Sequence, residues 1–174
     1  IDTIETGAMM AVLLDAGLAE FGDVAFLKSV MDEIRAGTEQ GLLWAQGTAR
    51  VGDHYKVHRT PVINKQAISA HHPRVIEVTG ISMRMTAQGA DHTTGNAPKY
   101  ECSGKGVDEL VDISMEMQIL CATADSLGLC VFGRSVTNEH VEFMVQSIND
   151  ALGTELAPSF FRELGRETLK YEAQ

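Results

Sequence analysis

Residues 107–130 read VDELVDISMEMQILCATADSLGLC, and this stretch decides the fold class. Leu110, Ile113, Met117, Leu120 and Cys121 recur at three- and four-residue spacing, which places them on one face of an α-helix. Gly128 follows where a helix of this length stops, because glycine takes the left-handed backbone that ends a helix at little steric cost. The spacing predicts a helix over Val107 to Ser126.

The same punctuation repeats along the rest of the chain. Thr3 to Leu18 reads as a helix that is apolar nearly all round and ends at Gly17. Asp23 is placed to cap a second helix to about Ala36, with Ala25, Phe26, Val30 and Ile34 on one stripe and Gly37 as its stop. Thr38 is placed to cap a third to about Ala45, and Gly47 to Val51 forms a short fourth. Lys56 to Pro73 breaks the pattern. Arg59-Thr60-Pro61 and His72-Pro73 push the residue before each proline out of the helical region, so this is extended connection. Gly80 to Ala87 reads as a short helix, and Gln88 to Asn96 and Pro98 to Gly106 read as loops. Thr137 is placed to cap a helix to Leu152 that stops at Gly153, and Pro158 opens a last helix. Strand signal is confined to Tyr55 to Ile63 and Arg74 to Ser82. The expectation is an all-α, multihelical chain with two small helical subdomains and irregular connectors.

Composition narrows the function classes. The 174 residues can bury a real core. Acidic residues outnumber basic ones, 24 against 14, for a formal charge of -10. That balance speaks against a nucleic-acid surface or an anionic membrane, both of which want clustered Lys and Arg. No apolar run reaches bilayer length, and the N-terminus lacks the basic start and apolar stretch of a signal peptide. The three cysteines are odd in number and lack CxxC spacing, which suits a reducing, cytoplasmic compartment better than a disulfide framework. The chain opens at Ile1-Asp2 without a Met and reads as a cut piece of a longer polypeptide.

Two short motifs carry candidate chemistry. In Asp125-Ser126-Leu127-Gly128-Leu129-Cys130 an acid, a glycine that permits close backbone approach and a thiol converge at a helix end. The alternative is a plain helix C-cap, with Gly128 left-handed, Leu129 closing an apolar contact and Cys130 buried. In Gly89-Ala90-Asp91-His92-Thr93-Thr94-Gly95 a histidine sits among small residues and hydroxyls, able to serve as acid, base or hydrogen-bond donor near neutral pH. Its alternative is a surface turn capped by Asp91 or Thr93.

In order and wording the two motifs resemble the aldehyde ferredoxin oxidoreductase family of tungsten or molybdenum bis-pterin enzymes. The opening Ile1 to Gly7 is similar to the family segment after its first Asp-x-x-Gly-Leu-Asp motif, with Asp2 as that motif's last residue. Arg59-Thr60-Pro61-Val62, Lys65-Gln66-Ala67 and Pro73-Arg74 resemble the stretch that leads to its active site. Gly89 to Thr93 resembles the active-site histidine segment, Asp125 to Cys130 the second motif Asp-x-x-Gly-Leu-Cys, and Gly165 to Glu172 a late helix.

The resemblance implies residues 1–60 as the end of family domain 2 and 61–174 as a truncated domain 3. It implies that Asp125 accepts hydrogen bonds from the amino-pyrimidine edge of one pterin and Asp2 does so for a second. Gly128 and Leu129 lay backbone against the ring, Cys130 ligates a four-iron four-sulfur cluster, and His92 works on the substrate oxygen. The implied reaction oxidises a small aldehyde to the acid, with electrons leaving through the cluster to ferredoxin. Both cofactors are expected only with the rest of the parent chain, and the piece alone is expected to be inactive. His71-His72 stands where the family more often has an aromatic and an acid.

Three other readings fit the same residues. One is a different low-potential redox reaction in the same family. Another is a zinc site built from His54, His58, His71, His72 and the cysteines, against which the extended reading of residues 57–61 separates His54 from His58. The last is a non-catalytic helical interaction module.

Overall fold

The computed structural model describes residues 2–70 and 73–174, so Ile1 and the His71-His72 pair lie outside the described residues. The chain is mainly helical, as the sequence predicts. It divides into two compact units, one of residues up to 70 with 88–91, the other of 73–87 with 92–174.

The first unit holds α1 (Thr3–Asp15), α2 (Val24–Ala36), α3 (Glu39–Trp44) and α4 (Thr48–Tyr55), of which α2 and α3 begin at the expected capping residues. The Asp23 carboxylate accepts from Phe26 N at 2.9 Å, Thr38 Oγ1 accepts from Gly41 N at 3.0 Å, and Gly37 ends α2 at φ 64°. Helix α4 is longer than the sequence suggests, running on to Tyr55. Met9, Val12, Leu13, Val30, Trp44 and Val51 form the core, with Phe26 edge-on to Trp44 at 6.3 Å between ring centres.

Helix α4 has no side-chain cap of its own at Gly47; the cap comes from α1. The Glu5 carboxylate accepts from Thr48 N at 2.8 Å and, through its other oxygen, from Ala67 N at 2.9 Å. Thr48 Oγ1 in turn donates to Glu5 O at 3.0 Å. One carboxylate thus satisfies a helix N-terminus and a strand at once, with its charge at the positive end of the α4 dipole. The strands are β1 (Val62–Ile63) and β2 (Gln66–Ala67), an antiparallel pair with Val62 opposite Ala67. Asn64 and Lys65 both take positive φ, the turn whose twist matches a two-residue hairpin.

The second unit holds α5 (Glu77–Met85), α6 (Val107–Ser126), a 3₁₀ turn at Val131–Gly133, α7 (Arg134–Thr137), α8 (Val141–Leu152) and α9 (Phe160–Glu172). Two expectations are corrected here. The β-branched stretch Arg74 to Ser82 enters a helix, because Val78, Thr79, Ser82 and Met83 bury at helical spacing and tertiary burial overrides strand propensity. Thr137 caps nothing. The chain after Cys130 winds straight into helical turns, Thr137 closes α7, and α8 starts after His140 without a side-chain cap.

Helices α6 and α9 approach closely because Gly165 faces the Ile119 carbonyl, where a Cβ would come within 2.2 Å of the oxygen. Thr123 Oγ1 lies between them, at 2.7 Å from Phe161 O and 2.9 Å from Ile119 O, and Phe161 is fully buried alongside. Arg162 pairs with Glu116 across the same seam.

Gly165→Ala is expected to destabilise the second unit by about 1–3 kcal/mol, since the added methyl meets backbone that cannot yield. Glu5→Ala is expected to destabilise the first by about 2 kcal/mol, by leaving two backbone donors unmet. Urea unfolding of each variant checks both, with Arg35→Ala, an exposed pair with Asp32, as a control expected within about 0.5 kcal/mol of wild type.

Candidate cofactor and substrate site

The histidine loop is held in the second unit by buried polar side chains. Ser82 Oγ of α5 donates to Gly95 O at 3.0 Å and lies 2.8 Å from Ser114 Oγ of α6. Gln118 Nε2 donates to Ser114 Oγ at 3.0 Å. One turn earlier on α5, Thr79 Oγ1 donates to Asn96 Oδ1 at 3.0 Å and accepts from Ala97 N at 3.3 Å. Thr79, Ser82, Asn96, Ser114 and Gln118 are all buried, so the bonds form in a low-dielectric interior where leaving them unmade is costly. Gly95 packs so tightly that a Cβ there would stand 2.8 Å from Gln118 Cγ and Ser82 Oγ. Residues 92–97 are therefore fixed against α5 and α6 although they form no regular element.

At the other end of α6 the chain closes in a Schellman motif. Gly128 N donates to Asp125 O at 3.1 Å, Leu129 N to Ala124 O at 2.8 Å, and Gly128 takes φ 65°. The C-cap alternative is thus right about the backbone. It is wrong about the sulfur: Cys130 is exposed, whereas Cys102 and Cys121 are buried. Asp125, in the last turn, is exposed and puts a carboxylate at the negative end of a twenty-residue helix, against the dipole.

Between the loop and this turn lies a cavity of about 540 Å³. Its apolar wall is Ile113, Met117, Leu120 and Cys121, the α6 stripe that the sequence marks as core. The deepest positions of α6 are instead Ser114, Gln118, Ile119 and Thr123, facing α5, the loop and α9. Thr93 of the histidine loop and Asp125 both line the cavity, as do Arg134 and Asn138. His92, half-buried, directly precedes Thr93. Loop and turn thus meet at one cavity within the second unit. Asp2 belongs to the first unit, where its Oδ1 accepts from Glu5 N at 2.7 Å as the N-cap of α1.

Sequence reasoning missed Asn138, Arg134 and Tyr100 as lining residues; no motif spacing marks them. Beside the cavity Tyr100 donates to Glu109 Oε1 at 3.2 Å, and Lys105 Nζ to the same oxygen at 2.6 Å. The bond from Lys105 holds the Glu109 carboxyl below its usual value and raises the Lys105 amine. Partial desolvation, then the Glu109 charge, raises the Tyr100 phenol. At neutral pH this flank presents a neutral phenol beside a closed ion pair.

The donor set fits one ligand of an iron–sulfur cluster and not a complete site. Cys130 offers an exposed sulfur, but among the described residues no three His, Cys, Asp or Glu side chains gather to hold a metal ion. The zinc reading finds no cluster there either, and its His71 and His72 lie outside the described residues.

The family model for aldehyde ferredoxin oxidoreductase, domains 2 and 3, matches residues 1–172, and the chain belongs to that family. No curated protein matches it significantly. Among the described residues no single helix is long and apolar enough to cross a membrane.

Ser82→Ala removes the hydroxyl that serves both Gly95 O and Ser114 Oγ. Amide exchange at residues 94–97 is expected to speed up by at least tenfold, from the roughly 1–3 kcal/mol attached to stranded buried partners, while amides of α9 stay protected.

Proposed function

We propose that this chain is the part of a tungsten- or molybdenum-pterin oxidoreductase that carries one pterin seat, one cluster ligand and the substrate-side histidine. The observation that carries the reading is the closed turn at the end of α6. Its Asp125 lines the cavity reached by the histidine loop, while its Cys130 is exposed. In a plain helix cap the sulfur would be expected to bury and an acid to avoid the last turn.

When bound, the metal–pterin centre supplies a two-electron oxidation: aldehyde and water become acid, two protons and two electrons, and the electrons pass through the cluster to ferredoxin. This chain's residues supply placement and polarity. Asp125 accepts hydrogen bonds from the amino-pyrimidine edge, with Gly128 and Leu129 offering close backbone. The Cys130 thiolate binds one iron. Asp2 serves the second pterin with the acceptor capacity left after capping α1. His92 donates to, or takes a proton from, the substrate oxygen, oriented by the buried anchors of Gly95 and Asn96. The two compact units correspond in this reading to the end of the family's second domain and to part of its third. The remaining cluster thiolates and the second half of the pterin cradle come from other residues of a longer, cytoplasmic parent.

Two substitutions in the polypeptide that contains these residues test the assignment. Cys130→Ser is expected to lower iron content and change the visible absorbance while leaving the helical circular dichroism intact; an unaltered iron content removes Cys130 as a ligand. His92→Ala is expected to cut turnover by about 10²-fold or more with metal content retained. Equal turnover would take the histidine out of the mechanism.

A further inference from the structure

The histidine loop has a second anchor, on the N-terminal side of His92. Gly89 stands three residues before the histidine, is buried, and takes φ 85°. A Cβ there would lie 2.6 Å from Ile63 O and 2.7 Å from Asn64 Cβ. Glycine is therefore required twice over, by the left-handed backbone and by the close approach. The surface it meets is the β1–β2 hairpin, which belongs to the same unit as residues 88–91.

That hairpin is held in place from both sides. The Glu5 carboxylate accepts from Ala67 N at 2.9 Å, and Ile68 N donates to Pro61 O at 2.9 Å just beyond the paired residues. Its turn keeps Asn64 at φ 51° and Lys65 at φ 67°, although lysine is disfavoured there and glycine is the usual choice. A two-residue turn fixes the strand register, and with it the place where Ile63 O and Asn64 Cβ meet Gly89. Little chain is left to adjust between this anchor and Gly95. Ala90 next to Gly89 and Thr94 next to Gly95 are buried, and only Asp91, His92 and Thr93 are half-buried. Three residues span at most about 10 Å, so a displaced anchor is absorbed at the histidine itself.

We infer that the β1–β2 hairpin is a positioning element for His92, acting through the contact of Gly89 with Ile63 and Asn64. This rests on the proposed function, in which His92 works on the substrate oxygen. It adds residues that in that reading touch neither substrate nor cofactor. A general acid or base has to stand within hydrogen-bond reach of the atom it serves, and a misplacement of about 1 Å can cost about 10²-fold in rate. Loosening the Gly89 seat therefore lowers turnover through the histidine and leaves metal and iron content alone.

The test uses the full metal-loaded polypeptide containing these residues, oxidising acetaldehyde and benzaldehyde with benzyl viologen as electron acceptor. Gly89→Ala is expected to cut kcat about tenfold or more with KM and metal content held. The matched control is Gly17→Ala, which imposes the same backbone strain at φ 82° where a Cβ meets nothing within 4 Å. It is expected to lower the thermal midpoint and keep wild-type kcat. In a His92→Ala background, Gly89→Ala is expected to cost less than about threefold more, because both act through one group. Should Gly89→Ala fail to fold, Asn64→Gly carries the test, since it suits the turn and removes the Cβ on which Gly89 rests. It is expected to cut kcat about threefold and to speed amide exchange at residues 90–93, with the midpoint held. Wild-type turnover in both hairpin-contact variants, with turnover lost in His92→Ala, overturns the inference and leaves the proposed function standing. So does an equal loss in Gly17→Ala, or a full tenfold cost of Gly89→Ala on top of His92→Ala. If the wild type oxidises neither aldehyde, or His92→Ala matches it, the role of His92 falls and the inference with it.

Discussion

The candidate site depends on a short chain of buried hydrogen bonds: Gly95 O to Ser82 Oγ, Ser82 to Ser114, Ser114 to Gln118. A loop with a histidine, two glycines and no regular structure has little to hold it against the entropy of its own freedom. Here α5 and α6 present hydroxyls and an amide at matching heights, and the loop's carbonyl completes them. Thr79 and Asn96 repeat the device one turn away. Because every partner is buried, the loop cannot lift without stranding several polar groups at once.

The same helix serves the other half of the site. Its C-terminal turn closes on left-handed Gly128, which lets Asp125 line the cavity while Cys130 is exposed. The α6–α9 seam, closed by Gly165 and Thr123, sets this end of the helix as the α5 network sets its middle. The first unit works on a comparable economy, in which Glu5 stands in for a missing cap on α4 and ties down the hairpin with the same carboxylate.

The helices were legible in the sequence wherever a capping residue or a stop glycine stood at the right place: Asp23, Thr38, Gly37, Gly128 and Gly153 all act as their types suggest. Thr137 looked like a cap and is not one, because the 3₁₀ turn after Cys130 depends on i to i+3 bonding that leaves no periodic trace. The role of the α6 stripe was half legible. Spacing identifies Ile113, Met117, Leu120 and Cys121 as one face, but not that this face borders a cavity while Ser114, Gln118 and Thr123 sit deeper. A sequence shows which residues are polar, not whether their hydrogen bonds will be met inside. Likewise His92, Asp125 and Cys130 could be picked out by motif and the seat of Gly89 on the hairpin could not, since a close approach is visible only in three dimensions.

Family membership, a cavity lined by Asp125 and by Thr93 of the histidine loop, and an exposed Cys130 five residues after Asp125 are the observations on which the proposed cofactor surface rests. The most direct test is the metal content of the whole polypeptide containing these residues, grown anaerobically with tungstate and molybdate both supplied. The account predicts about one tungsten or molybdenum and about four irons per chain, the stoichiometry of one pterin centre and one four-iron cluster. A polypeptide that folds and is isolated intact yet carries neither the heavy metal nor iron would contradict it.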